Sequence, residues 1–167
     1  MTTDQRFPSI SVTDLEGRSL VFPGDIRAST MVAVVAFRRQ HQALVDSWVP
    51  WLEDRQHTDP GFAFFEIPCL SMMWTPTRSF IDGGMAAAIK VPTILQRTMT
   101  YYGRLSRVTG PLGITDTRTI TVLALDQVGA VLGRATGAFS PEEASALAAR
   151  LDLGRGTTSP SGDPSQA

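Results

Sequence analysis

The sequence predicts a single α/β domain, and three consecutive stretches carry that prediction. Residues 31–37 form an apolar, β-branched run of the kind found in strands that are buried on both faces. A helical pattern follows directly, with Leu44, Trp48 and Leu52 spaced so that they share one stripe. Residues 62–67 then form a second apolar run. A strand, a helix and a strand in this order predict a right-handed crossover between two parallel strands.

The composition is that of a globular protein without a nucleic-acid or membrane partner. The chain has 167 residues, enough for one domain with a sizeable core. Its net charge of −1 gives no field that would attract nucleic acid or an anionic membrane. No apolar run approaches the ~20 residues of a membrane helix, and the start lacks the apolar core of a signal peptide, so we expect a cytoplasmic protein with no integral membrane segment. One cysteine and two histidines exclude an internal disulfide and a dedicated zinc site, so we expect no metal and no cofactor.

The first part of the chain reads as a hairpin that precedes the crossover. Residues 7–12 and 18–22 flank a turn in which Gly17 takes a positive φ. The strand at residues 62–67 is predicted to end at Pro68, because proline cannot donate a ladder hydrogen bond.

The middle of the chain is predicted to be partly helical. Thr75 and Pro76 form a helix-start signal for residues 78–90. Residues 91–102 have no clear pattern. Residues 103–117 contain three glycines and a proline and predict an exposed connection.

The last part predicts a second hairpin and a closing helix. Residues 119–125 and 130–136 are two apolar runs separated by a turn. Ser140, Pro141 and Glu143 form a capping box that opens a helix.

After that helix the composition changes. Residues 154–167 consist largely of Gly, Ser, Thr and Pro and have little to bury. The sequence therefore predicts a folded domain at residues 1–153 and a disordered tail at residues 154–167.

The predicted order of elements resembles the thioredoxin-like superfamily. Thirteen residues separate Phe37 at the end of the central strand from Pro50 inside the helix, as an aromatic residue and a helix-kinking proline are separated in thioredoxins. The resemblance implies a three-layer α/β/α sandwich with an N-terminal β-hairpin. It places the two redox cysteines at Gln42 and Val45, neither of which can form a thiolate. It also places a cis-proline near residues 118–120, where this chain has none. We therefore expect no catalytic residues of the thioredoxin type.

Within that superfamily the chain resembles the mitochondrial ATP-synthase assembly factors that chaperone subunit a, or a bacterial relative of them. The resemblance rests on loose patterns at residues 37–48 (FRRQHQALVDSW), 80–92, 97–103 (RTMTYYG) and 119–143. It implies assistance in folding or assembly and no catalysis.

The candidate binding residues lie where the two central strands end, because ligands of open α/β sheets usually sit at that edge. Arg38, Arg39, His41 and Gln42 follow the first strand. Arginine side chains and the N–H groups of a helix start could bind an anionic group there. The alternative is a solvated turn.

A second set of candidates follows the next strand and should reach the same edge. Leu70, Met72, Met73 and Trp74 form an apolar cluster that would be a partner site if exposed, or ordinary core if packed against the following helix. Cys69 is either a reactive thiol or a small buried hydrophobe; it lacks the helix-start position that lowers a thiol pKa.

These observations favour a redox-inactive thioredoxin-like protein that binds a protein or peptide partner as an assembly factor or chaperone. Two alternatives stay open. One is a thiol-dependent antioxidant enzyme that uses its single cysteine, Cys69. The other is an anion or small-molecule binding module at residues 38–42.

Overall fold

The computed structural model describes residues 5–70 and 97–156. Within these ranges the strands form one seven-stranded sheet with helices on both faces. The strands are β1 (Ile10–Asp14), β2 (Ser19–Phe22), β3 (Thr30–Ala36), β4 (Phe62–Leu70), β5 (Met99–Tyr102), β6 (Thr121–Asp126) and β7 (Val131–Thr136). The helices are α1 (Gln42–Thr58), α2 (Ser106–Leu112) and α3 (Pro141–Gly156), and a 3-10 turn, Arg39–His41, precedes α1.

The sheet is built around β3. Its strand order is β2-β1-β5-β4-β3-β6-β7, and all seven residues of β3 are buried. Strand β3 pairs in parallel with β4 and antiparallel with β6, so Val34 lies between Glu66 and Val122. The predicted strand–helix–strand unit is therefore confirmed, and α1 is the helix that connects its strands.

Two apolar cores flank the sheet and confirm the predicted three layers. On one face, Trp48 of α1 and Leu147 of α3 pack against β3, β4 and β6. On the other face, Val108 and Leu112 of α2 pack with Phe22 of the N-terminal hairpin. Burial of large side chains on both faces is the main term that stabilises this arrangement.

The predicted N-terminal hairpin is confirmed, with Gly17 at a φ of 87°. The predicted end of the next central strand at Pro68 is wrong. Strand β4 continues to Leu70, because its pairing with β3 ends at Pro68 and its pairing with β5 covers Cys69 and Leu70. Proline is tolerated at that point because the pairing with β3 ends there, and its missing N–H falls in the gap between the Glu66–Thr98 bridge and the Cys69–Tyr101 pair on the β5 side.

The prediction of an exposed connection at residues 103–117 is also wrong, because this stretch contains α2. Val108 and Leu112 are fully buried, and the helix ends at Gly113 with a φ of 62°. The apolar pair at a spacing of four residues outweighs the helix-weakening Gly110 and Pro111 because it is packed into the core.

The second hairpin and the closing helix are confirmed. The Ser140 Oγ accepts the backbone N–H of Glu143 at 3.1 Å, as expected for a helix cap. Helix α3 continues to Gly156, three residues into the predicted tail. The remaining tail residues and the predicted helix at residues 78–90 lie outside the described residues.

A buried histidine fixes the start of α1 to the loop before β6. The His41 Nδ1 accepts the backbone N–H of Phe37 at 3.1 Å, so its Nε2 carries the proton and donates to the Arg118 carbonyl at 3.0 Å. The side chain is 3% exposed. His41 therefore joins the start of α1 to the loop before β6. In the thioredoxin pattern, these two segments carry the redox cysteines and the cis-proline.

We predict that His41→Ala lowers the free energy of unfolding by about 2 kcal/mol, because two backbone groups lose their hydrogen-bond partner. Urea unfolding followed by tryptophan fluorescence measures the change. The control is His57→Ala, since His57 is exposed and its hydrogen bond within the described part of the chain is to the Glu53 carbonyl of its own helix. It should change stability by less than about 0.5 kcal/mol. Equal losses in the two variants would contradict the role given to His41.

Candidate binding cavity

A cavity of about 580 Å³ lies at the edge of the sheet where β3 and β4 end. Its described walls combine apolar and polar side chains. The apolar ones are Ala36, Phe37, Val45, Pro68 and Leu70. The polar ones are Arg38, Arg39, Gln40, Gln42, Glu66 and Thr100.

The first turn of α1 forms one wall of this cavity. Gln42 begins the helix, and its amide donates to the Asp46 carboxylate at 2.8 Å. Val45 is 2% exposed and belongs to the core beneath the helix. These are the two positions at which the thioredoxin resemblance expects cysteines. An amide and an isopropyl group stand there, and both line the cavity.

Two arginines lie at the mouth of the cavity. Arg38 and Arg39 are exposed and occupy the short turn between β3 and α1. Neither side chain forms an ion pair with a residue in the described part of the chain. Arg38 is near enough to the exposed Asp116 to help lower the pKa of that carboxyl group, without forming a direct ion pair with it.

A buried carboxyl group, Glu66 of β4, lies in the cavity wall. Its Oε1 is 4.0 Å from Arg97 Nε, and its Oε2 accepts a long hydrogen bond of 3.5 Å from Thr98 Oγ1. Arg97 also pairs with Glu53 of α1 at 3.0 Å and lies over the Phe64 ring, 4.7 Å from its centroid. Burial raises the pKa of Glu66, while the nearby Arg97 opposes that rise.

The structure brings only some of the predicted binding residues together. Arg38, Arg39, Gln42 and Leu70 line the cavity. His41 does not, because both of its ring nitrogens are held by backbone groups; it is neither in a solvated turn nor free for an anion. The predicted residues that lie outside the described part of the chain are Met72, Met73 and Trp74.

Several wall residues were missed by the sequence reasoning. Glu66 carried a usable signal, since it is the one charged residue inside the apolar run FAFFEI. Thr100 carried none, because it reaches the cavity through the pairing of β5 with its neighbours, in a stretch without a clear pattern.

Cys69 lies at the expected edge of the sheet, between Pro68 and Leu70, but its side chain does not line the cavity. Successive residues of a strand point to opposite faces. Cys69 therefore lies in the core on the other face from Glu66, where it is 1% exposed. Burial raises the pKa of its thiol to about 12. A thiol in this environment is a packing residue and not an activated nucleophile.

Two further features of the described residues bear on function. They contain no group of His, Cys, Asp and Glu side chains arranged to hold a metal ion. Among their helices, none has the length and apolar character needed to cross a membrane.

We predict that Glu66 makes the stability of the protein depend on pH. Because burial raises its pKa above the ordinary value of 4.5, its neutral form stabilises the fold. That contribution is fully present below pH 4.5 and is lost as the pH rises through the raised pKa. As the pH rises through this raised pKa, the wild type should therefore lose stability relative to Glu66→Gln. Urea unfolding at a series of pH values measures the difference. The variant Glu142→Gln, at an exposed site on α3, is the control and should run parallel to the wild type.

Comparison with known proteins gives a fold and no closer relationship. No protein-family model matches the chain, and no curated protein matches it. Solved structures do match. One is an uncharacterized conserved protein from Geobacillus kaustophilus, with 15% sequence identity and a TM-score of 0.62 over 92% of this chain and 82% of that one.

Two other matches have named functions. BsSco, a member of the Sco family of cytochrome c oxidase assembly proteins, has 9% identity and a TM-score of 0.57 over 90% of this chain and 96% of its own. A thiol:disulfide interchange protein of the thioredoxin family from Chlorobium tepidum TLS has 13% identity and a TM-score of 0.54 over 93% and 99%. At these identities the likeness shows architecture alone, and on that basis the chain has a thioredoxin-like fold.

Proposed function

We propose that the protein is a redox-inactive binding protein that holds a polypeptide segment in the cavity at the start of α1. The observation that carries the proposal is that Gln42 and Val45, at the positions of a redox cysteine pair, form a wall of that cavity. Thiol–disulfide exchange requires a thiolate to attack a disulfide. Because neither of these two positions carries a sulfur atom, the surface can bind a polypeptide but cannot carry out thiol–disulfide exchange.

The size and lining of the cavity are those of a ligand pocket and leave room for neighbouring side chains of a partner. Ligand pockets typically enclose roughly 300–1,000 Å³ and are lined mainly by apolar groups with a few polar ones. The volume of about 580 Å³ lies within that range. An apolar side chain could enter between Val45 and Leu70 while its backbone crosses the open mouth.

An assembly or chaperone role is the form of binding that we favour. The fold match to BsSco, which belongs to a family of assembly proteins, is compatible with it. So is the resemblance of residues 37–48 and 97–103 to the ATP-synthase assembly factors. Both are supports for the proposal and not tests of it.

The test is to fill the mouth of the cavity from an exposed position. Random peptides displayed on phage are selected against the wild type, and an enriched peptide is synthesised for titration by fluorescence anisotropy. We expect Gln42→Trp to weaken its affinity by about tenfold or more, because the ring occupies the site and a tenfold loss needs only about 1.4 kcal/mol.

The matched control is Ala43→Trp, which makes the same change one residue later, at an exposed position that is not part of the cavity wall. It should change the affinity by less than about twofold. If no peptide is enriched, or if both tryptophan variants bind the peptide as the wild type does, the proposed function is wrong.

The alternative of a single-cysteine antioxidant enzyme is disfavoured by the position of Cys69. We predict that a thiol reagent labels Cys69 in native protein about a thousandfold more slowly than in urea, because a pKa raised from 9.0 to about 12 leaves that much less thiolate. Labelling is followed by absorbance. Rapid labelling of native protein, together with peroxide consumption that Cys69→Ala abolishes, would establish the enzyme instead.

The alternative of an anion or small-molecule binding module keeps one observation in its favour. Arg38 and Arg39 are exposed at the mouth of an apolar cavity. A free amphipathic anion would use the same arginines, and it is therefore one of the outcomes tested below.

A further inference from the structure

The mouth of the cavity and its interior differ in chemistry. Arg38 and Arg39 put two positive charges at the rim, while Val45, Pro68 and Leu70 make the adjoining wall apolar. An occupant that satisfies both must combine an apolar part with a group that binds guanidinium.

The charge at the rim is local. The whole chain has a net charge of −1, so it does not attract acidic partners through its overall field. Arginine binds carboxylates through paired N–H donors in a fixed planar geometry, which gives direction as well as attraction. Two adjacent exposed arginines without an ion-pair partner among the described residues are thus suited to a carboxylate that arrives with the ligand.

The one acidic group of the described cavity wall is buried. Glu66 is 9% exposed and lies beside Arg97, which is 13% exposed. Burial raises the pKa of Glu66, which favours its neutral form. The acidic side chain of the described wall therefore has a cationic neighbour of its own, whereas the two arginines at the rim have no ion-pair partner among the described residues.

From this complementarity we infer that the polypeptide segment held in the cavity carries an acidic side chain next to its apolar one, and that Arg38 and Arg39 bind that acidic group. The inference rests on the proposed function, because it assumes that the occupant is a polypeptide. A segment with basic flanks would place like charges against the rim, which disfavours it.

The experiment uses the same phage selection with random heptapeptides. We expect enriched sequences to contain Asp or Glu within three residues of an aliphatic or aromatic residue. An enriched peptide is then synthesised in two forms, one with its acidic residues and one with those residues changed to Gln or Asn.

The double variant Arg38→Gln/Arg39→Gln should bind the acidic peptide about fivefold or more weakly than the wild type, and the neutral peptide equally well. Raising the salt concentration should weaken only the acidic peptide. The matched control is Arg104→Gln/Arg107→Gln, which removes two exposed arginines elsewhere and should leave both affinities unchanged.

The outcomes separate this inference from the proposed function. If Gln42→Trp weakens both peptides while the Arg38/Arg39 variant weakens neither, or weakens both equally, the acidic preference is wrong and polypeptide binding survives. If enriched peptides bind Gln42→Trp as tightly as wild type, the proposed function itself fails. If no peptide is enriched but sodium octanoate binds and depends on Arg38 and Arg39, the occupant is a free amphipathic anion and the inference is overturned.

Discussion

The pairing of β3 with β4 determines on which face of the sheet the central residues of the candidate site lie. The two strands run in parallel with Val34 opposite Glu66 and Ala36 opposite Pro68. Since side chains alternate along a strand, this register sends Glu66 to the face covered by α1 and Cys69 to the opposite core. A shift of one residue would exchange them and place a thiol near the start of the helix. The position of Glu66 in the cavity wall and the position of Cys69 in the opposite core therefore both follow from the register of this one strand pair.

The start of α1 is held in place by a hydrogen-bonded histidine. In the thioredoxin pattern, a proline precedes the strand that corresponds to β6, beside the redox cysteines. Here Arg118 lies in that loop, and its carbonyl accepts the N–H of His41. The same ring accepts the Phe37 N–H, so one side chain connects the end of β3, the first turn before α1 and the loop before β6. A rigid helix start keeps Gln42 and Val45 at a constant distance from the strand ends, which a binding cavity requires.

The sequence predicted the central unit well because its signals were local and strong. Residues 31–37 are uniformly apolar, and Ser140 with Glu143 is a cap that needs no distant partner. The failures occurred where the outcome depended on contacts between distant segments. Helix α2 forms despite Gly110 and Pro111 because Val108 and Leu112 are buried against the rest of the fold. Pro68 remains inside a strand because β5 pairs with β4 on both sides of it, which no local pattern reveals.

The same reasoning explains why the sequence predicted some residues of the candidate site and missed others. Arg38, Arg39 and Gln42 were found because they directly follow a recognisable strand, so their position required only the local pattern. Glu66 and Thr100 belong to different strands, and their meeting follows from the parallel order of β3, β4 and β5. His41 was misjudged because a histidine in a polar run reads as solvated.

The proposal that the cavity binds an occupant draws its strongest physical support from the buried carboxyl group of its wall, Glu66. An apolar gap could arise from imperfect packing alone, at a cost in stability that grows with its volume. A carboxyl group in such a wall adds a desolvation cost. Arg97 at 4.0 Å and hydrogen bonds from Thr98 and Gln42 offset it only in part, since the pKa of Glu66 stays raised. Replacing Glu66 by an apolar residue of similar size would remove that cost without altering the strand. A costly buried carboxyl group beside a cavity of about 580 Å³ is what the proposed occupant would explain, since the sheet could form without either feature.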